Sequence, residues 1–324
     1  MHKLSVYFHS YLWSIKKHTG TKGNRYLLDM DAKPKWLYDV LKSDSKKKLK
    51  KAKPLKIEDF YKVHSKKYVD SIFGGNQREV KKYSWITWSN GFVRSQLYTS
   101  GIVFDAITNA YKNKTIVGCL AVEGHHAKKN HGSGFCTFNH PIVALNKFVT
   151  NKSAKPLIID LDCHLGDGTL ELIKNNKNIK VFDIYGLVHN NEKSISHSNQ
   201  MLKKASNKKT YFQYLNKLED YIKQINPNLI LYIAGVDPYV NDRYGGIPGI
   251  DIESLKRRDE IVFKLSKKYQ IPTVFTLGGG YVKYPDLNGN KRKTLVTLHK
   301  NTFIAASKYS QFGSIINSNH AKNC

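Results

Sequence analysis

Five short apolar runs constrain this chain more than any other feature. They are Thr115–Val122, Pro156–Asp162, Ile179–Tyr185, Leu229–Val236 and Pro272–Leu277, each rich in β-branched residues and bounded by Gly, Pro, Asn or Asp. Runs of this length and punctuation read as strands. They are near-continuously apolar, so both faces of each need cover, as in a parallel sheet. Between them, Val93–Tyr111, Pro141–Val149, Thr169–Asn175, Tyr211–Ile225 and Ile252–Tyr269 read as helices. Alternating strands and helices predict an α/β fold with a mostly parallel central sheet and helices on both faces. No repeat, linker or low-complexity stretch divides the 324 residues, so one domain spanning 1–324 is expected. Leu295, Leu298, Thr302, Ala305 and Ala306 recur at helical spacing and predict a terminal helix over 293–308. The polar tail at 314–324 is expected to fray.

Several function classes recede on composition. The most apolar run, Asn228–Val236, has strand length and falls far short of the ~20 residues a membrane helix needs. The first residues lack an apolar core followed by a cleavage site, so secretion is not expected. Four cysteines without a CxxC pair make no disulfide framework, and a reducing, cytoplasmic setting is expected. The net charge of +28 raises nucleic-acid or acidic-partner binding as a second class of function. Yet only 7 of the 53 basic residues are Arg, whose planar fork suits phosphate and base recognition, and the lysines are scattered. A solvated Lys-rich surface is the favoured reading. The densest basic run, Ser45–Lys53, reads as a solvated loop or helix end.

In open parallel sheets the active site lies beyond the carboxyl ends of the strands, and there this sequence places its reactive residues. His125 and His126 follow the first run in a Gly-flanked loop. The second run ends in Asp160, Asp162 and His164, which alternation puts on one face, with Asp167 just beyond. Two carboxylates buried side by side need a cation or a hydrogen-bond network. A divalent metal supplies this most directly, and Asp and His are ordinary zinc ligands. Asp237 ends the fourth run and can supply a third ligand. The fifth run ends in Gly278, Gly279 and Gly280, then Tyr281, without a phosphate-loop pattern. His-His, Asp-x-Asp-x-His, Asp and Tyr would thus converge on one sheet edge.

Together these motifs resemble the histone deacetylase superfamily, with its arginase-like fold, from about Val63 to Thr302. Val122–His126, Ile159–Asp162, Phe182–Tyr185 and Arg258–Val262 are most similar to class IV histone deacetylases and their bacterial relatives. The resemblance implies hydrolysis of an acylated amine at zinc. It implies Asp162, His164 and Asp237 as metal ligands, and His126 as general base. His125 would be its electrostatic or acid partner, Asp160 and Asp167 would hold the two imidazoles, and Tyr281 would polarise the acyl carbonyl. Gly134 and Phe135 would be tunnel floor and wall. It also brings potassium near the Asp160–His164 strand and permits long-chain acyl removal.

Physical chemistry supports those roles. Zinc acidifies water to a pKa of ~7, and a positioned base adds ~10²–10⁴-fold. Ligands of this kind also accept iron(II), cobalt or manganese. Three departures stand out from the family pattern: Leu165 after the ligand His, Asn139-His140, and no clear second tunnel aromatic in the Gly186–Gln200 loop. The expected substrate is acyl-lysine in proteins, with an acetylated polyamine or other small amide as the alternative. The sequence does not specify an oligomeric state.

Overall fold

In a computed structural model the described residues are 3–13, 27–84, 88–149, 153–188, 200–281 and 291–312. The expected tail at 314–324 lies outside them. Eight strands form one sheet: β1 (Leu4–Phe8), β2 (Lys47–Lys51), β3 (Ile116–Val122), β4 (Pro156–Asp160), β5 (Lys180–Tyr185), β6 (Met201–Lys204), β7 (Leu229–Ala234) and β8 (Thr273–Leu277). Every pairing is parallel, in the order β2-β1-β3-β8-β7-β4-β5-β6. The strands of the centre are buried throughout, as their unbroken apolar character requires.

The helices are α1 (Leu27–Leu41), α2 (Ile57–Tyr61), α3 (Lys66–Phe73), α4 (Gln77–Ser84), α5 (Asn90–Asn113), α6 (His140–Val149), α7 (Asp167–Ile173), α8 (Lys208–Leu215), α9 (Leu218–Ile225), α10 (Ile252–Lys268) and α11 (Lys291–Tyr309). Two apolar cores separate the sheet from its helices. One packs Phe182, Tyr232, Phe263, Phe275 and Phe303 together, and the other Phe60, Phe92, Ile102, Phe138 and Ile158. Helices therefore cover both faces, as expected for this α/β class.

Two expectations need correction. The basic run at 45–53 is not a solvated loop or helix end, because Lys47–Lys51 forms edge strand β2. Lysines along an edge suit a strand that must not pair further, and the Lys47 side chain is buried beside Asp44. The helix expected over Tyr211–Ile225 is two helices. The backbone turns at Asn216 and Lys217, without the Gly or Pro that would mark the break.

Chain topology does the important work at the centre. β3, β8, β7 and β4 are adjacent in space although distant in sequence. They are the four strands whose carboxyl ends carry the histidine pair, the glycine triplet with Tyr281, Asp237, and Asp162 with His164. A buried clip from α10 fixes two of these ends. Arg258 Nη1 donates to Leu161 O at 3.1 Å and to Gly235 O at 2.6 Å, just ahead of Asp162 and just ahead of Val236-Asp237. Asp259 accepts from Arg258 Nε at 2.8 Å, from the Tyr232 hydroxyl, and from Thr302 on α11 at 2.6 Å.

Removing one partner of a buried ion pair strands the other charge. Arg258→Leu is therefore expected to cost about 3–5 kcal/mol of stability, read as a shifted midpoint in urea unfolding. A change below about 1 kcal/mol would show that the clip carries no weight.

Candidate active site

Each metal-ligand candidate has one face held by backbone and the other turned inward. Asp162 Oδ2 accepts from Gly279 N at 2.7 Å, while its Oδ1 lies 3.3 Å from His164 Nδ1. Asp237 Oδ1 accepts from Cys163 N at 2.9 Å, and its Oδ2 lies 2.9 Å from His164 Nδ1. His164 Nε2 lies 2.9 Å from the Tyr244 carbonyl, which can only accept. The Nε2 nitrogen therefore carries the proton, leaving Nδ1 as the lone-pair donor when the ring is neutral. One ligand atom from each of the three residues lies within 4.8 Å of the others. Asp237 is fully buried, and burial together with Asp162 pushes its pKa well up. Two hard oxygens and one imidazole nitrogen facing one point fit a divalent cation.

Close approach dictates the glycine at position 235. A Cβ there would stand 2.3 Å from Asp162 Oδ2. Gly134 has φ +49°, and a Cβ would meet the His126 ring at 2.3 Å. A side chain at either position would displace a group of the site.

The histidine pair is held asymmetrically. His125 Nδ1 donates to Asp160 Oδ2 at 2.9 Å, and His126 Nδ1 to Asp167 Oδ1 at 2.6 Å. Lys128 Nζ lies 3.2 Å from the other Asp167 oxygen. Burial works against a charge on His125, but Asp160 and Asp162 outweigh it and its pKa rises well above the usual value. Burial and the neighbouring His125 charge push His126 down to about 3. Environments that drive two adjacent groups apart divide acid from base.

These groups open onto a cavity of about 220 Å³ also lined by Gly134, Phe135, Cys136, Gly279 and Tyr281. Tyr281 is 8% exposed, and its backbone N–H is anchored by Asp242. Phe135, Tyr244 and Tyr281 form an aromatic cluster with ring centroids 5.1–6.0 Å apart. Tyr244 supplies an aromatic that the sequence did not single out, because the Gly186–Gln200 loop was the expected place for a second one. Residues 189–199 of that loop lie outside the described residues.

Every site residue named from the sequence is thus brought to one place. Sequence reasoning missed Glu123 and Lys33 as well as Tyr244. Glu123 is 3% exposed, and burial pushes its pKa up to about 7. Lys33 is 1% exposed and donates from Nζ to Gly278 O at 2.7 Å.

The model of the histone deacetylase domain matches residues 31–294 of this sequence. The chain belongs to the histone deacetylase family. Membership makes it an enzyme of the hydrolytic deacetylase kind. Among relatives, an uncharacterized protein of Picosynechococcus is 30% identical over 226 residues, 68% of this chain and 74% of that protein. Histone deacetylase 2 of Arabidopsis thaliana is 28% identical over 49% of this chain and 42% of its own length. The acetoin utilization protein AcuC of Staphylococcus aureus is 26% identical over 67% of this chain and 62% of its own. Two solved structures share the fold. The acetylpolyamine aminohydrolase of Burkholderia pseudomallei has a TM-score of 0.75 at 15% identity, covering 94% of this chain and 98% of that one. The HD domain of HDA15 has a TM-score of 0.76 at 17% identity, covering 97% and 90%. Among the described residues, no helix of this family member is long and apolar enough to cross a membrane.

Proposed function

We propose that this chain is a zinc-dependent amide hydrolase that removes acyl groups from acylated amines, with acetyl- or longer acyl-lysine in proteins as the substrate. The observation that carries the reading is the nest of His164 Nδ1, Asp162 Oδ1 and Asp237 Oδ2 beside two imidazoles driven toward opposite charge states. An ion in that nest supplies a Lewis acid and an acidified water. Iron(II), cobalt or manganese satisfies the same donors.

The remaining steps belong to the protein. His126 is neutral, and with Nδ1–H committed to Asp167 it offers Nε2 as the base that takes a proton from water. His125 is cationic and gives a proton to the departing amine, while Asp160 fixes its ring. The Tyr281 hydroxyl donates to the carbonyl oxygen as negative charge develops there. Gly134 and Phe135, with Tyr244, wall the approach and exclude water. A potassium ion near the end of β4 belongs to the same reading. The buried Asp183 Oδ1, without a hydrogen-bond partner among the described residues, supports it.

Asp167→Asn tests the assignment of the base. The amide no longer favours the Nδ1–H tautomer, so kcat should fall within the ~10²–10⁴-fold range of a general base. Metal content should stay at the parental level. An unchanged kcat removes His126 from that role.

The substrate class is tested by a zinc-loaded panel of acetyl-, butyryl- and myristoyl-lysine peptides beside acetylated polyamines. Turnover of the lysine peptides is expected. Turnover of polyamines alone would move the reading to the small-molecule class, and no turnover of any acylated amine would overturn it.

A further inference from the structure

We propose that Glu123 contacts the acyl group and selects short acyl chains that carry a hydroxyl next to the carbonyl. This inference rests on the hydrolase reading above. It begins at the end of β3, where the chain leaves the strand between two cavities. Val122 and Gly124 line a neighbouring cavity, whereas Glu123 and His125 line the catalytic one. The Glu123 carboxylate is therefore delivered into the substrate space by the same strand end that delivers the histidine pair.

Its position there is defined by two neighbours. Glu123 Oε1 lies 4.0 Å from His125 Nε2. Glu123, His125 and Asp162 each bring a ligand-type atom within 4.8 Å of the others, and Asp162 also belongs to the metal nest. An acyl group held at the nest would therefore have Glu123 among its neighbours in the cavity.

None of the steps assigned above uses this carboxylate. Asp160 and Asp167 already hold the two imidazoles. Lys33, a buried cation whose charge reaches Glu123, directs its Nζ to Gly278 O at 2.7 Å. Glu123 Oε2 is buried and has no hydrogen-bond partner among the described residues. Such an oxygen costs free energy until something bonds to it. The methyl of an acetyl group offers nothing. A hydroxyl satisfies the oxygen whichever way its proton sits, because a hydroxyl both donates and accepts.

Glycolyl-lysine and propionyl-lysine peptides isolate this contact, since they differ only by a hydroxyl in place of a methyl. The zinc-loaded parent is expected to favour glycolyl by about tenfold in kcat/KM, the discrimination of one good hydrogen bond. In Glu123→Leu the ratio should fall to about one or below, and in the near-isosteric Glu123→Gln it should fall several-fold. Any effect of Glu123 on the His125 charge scales both substrates alike and cancels in the ratio.

A parental ratio at or below one overturns the inference without any variant. A ratio that survives in the Leu and Gln variants also overturns it. If acetyl-lysine is hydrolysed but the ratio is flat, only this inference fails. If none of the acyl peptides is hydrolysed, the hydrolase reading fails with it.

Discussion

Asp237→Asn is expected to abolish zinc retention and, with it, hydrolysis, while leaving the fold intact. The amide keeps the shape of the carboxylate, and its oxygen can still accept from Cys163 N, as Asp237 Oδ1 does at 2.9 Å. Its NH2 would then face His164 Nδ1, where Asp237 Oδ2 now stands at 2.9 Å. That turns a ligand into a donor aimed at the lone pair the ion needs. Losing an outer-shell partner costs metal affinity roughly 10–100-fold, and losing a direct ligand should cost more. Metal content after dialysis, beside a circular dichroism spectrum, checks both halves. Full zinc occupancy with undiminished turnover would remove Asp237 from the ligand set.

Tyr281→Phe should give the complementary result. Zinc content stays at the parental level, and kcat falls by about 10²–10³-fold, the magnitude for removing one donor to a developing oxyanion. Tyr281 packs by its ring against Phe135 and Tyr244, and Phe preserves those contacts. Its backbone anchor to Asp242 does not depend on the hydroxyl. KM should change much less than kcat, because the hydroxyl acts on charge that appears only at the transition state. A variant that loses zinc, or keeps its kcat, would contradict this role. Together the two substitutions separate holding the ion from stabilising the reacting carbonyl.

Much of this site could be read from the sequence because each element carries its reactive group at the end of an apolar run. Asp160, Asp162 and His164 announce themselves by alternation, whereas Asp237 and Tyr281 stand out only through the agreement of several strand ends. Lys33 gave no such signal. It sits in a helix among other lysines, and only the packing of α1 near the glycine triplet buries it. Glu123 carried no signal of its own within the His-His motif, and only its burial against the catalytic cavity marks it. Tyr244 acts through a backbone carbonyl as well as a ring, and no sequence pattern reveals a carbonyl. The outer strands β1, β2 and β6 were missed because none shows the unbroken apolar character of the centre.

The motif Arg258-Asp259 gained its meaning the same way. As sequence it contributed only to the family resemblance. In the fold it ties β4 and β7 together one step ahead of Asp162 and two ahead of Asp237. Fold stability and site geometry therefore share one buried network, which is why the predicted cost of Arg258→Leu is large for a residue that touches no substrate.

The most direct measurement is a crystal structure of zinc-loaded protein with anomalous scattering data. One ion is predicted within about 2.0–2.2 Å of His164 Nδ1 and of one oxygen each from Asp162 and Asp237. Zinc bound elsewhere, or contacting His164 through Nε2, would contradict the account.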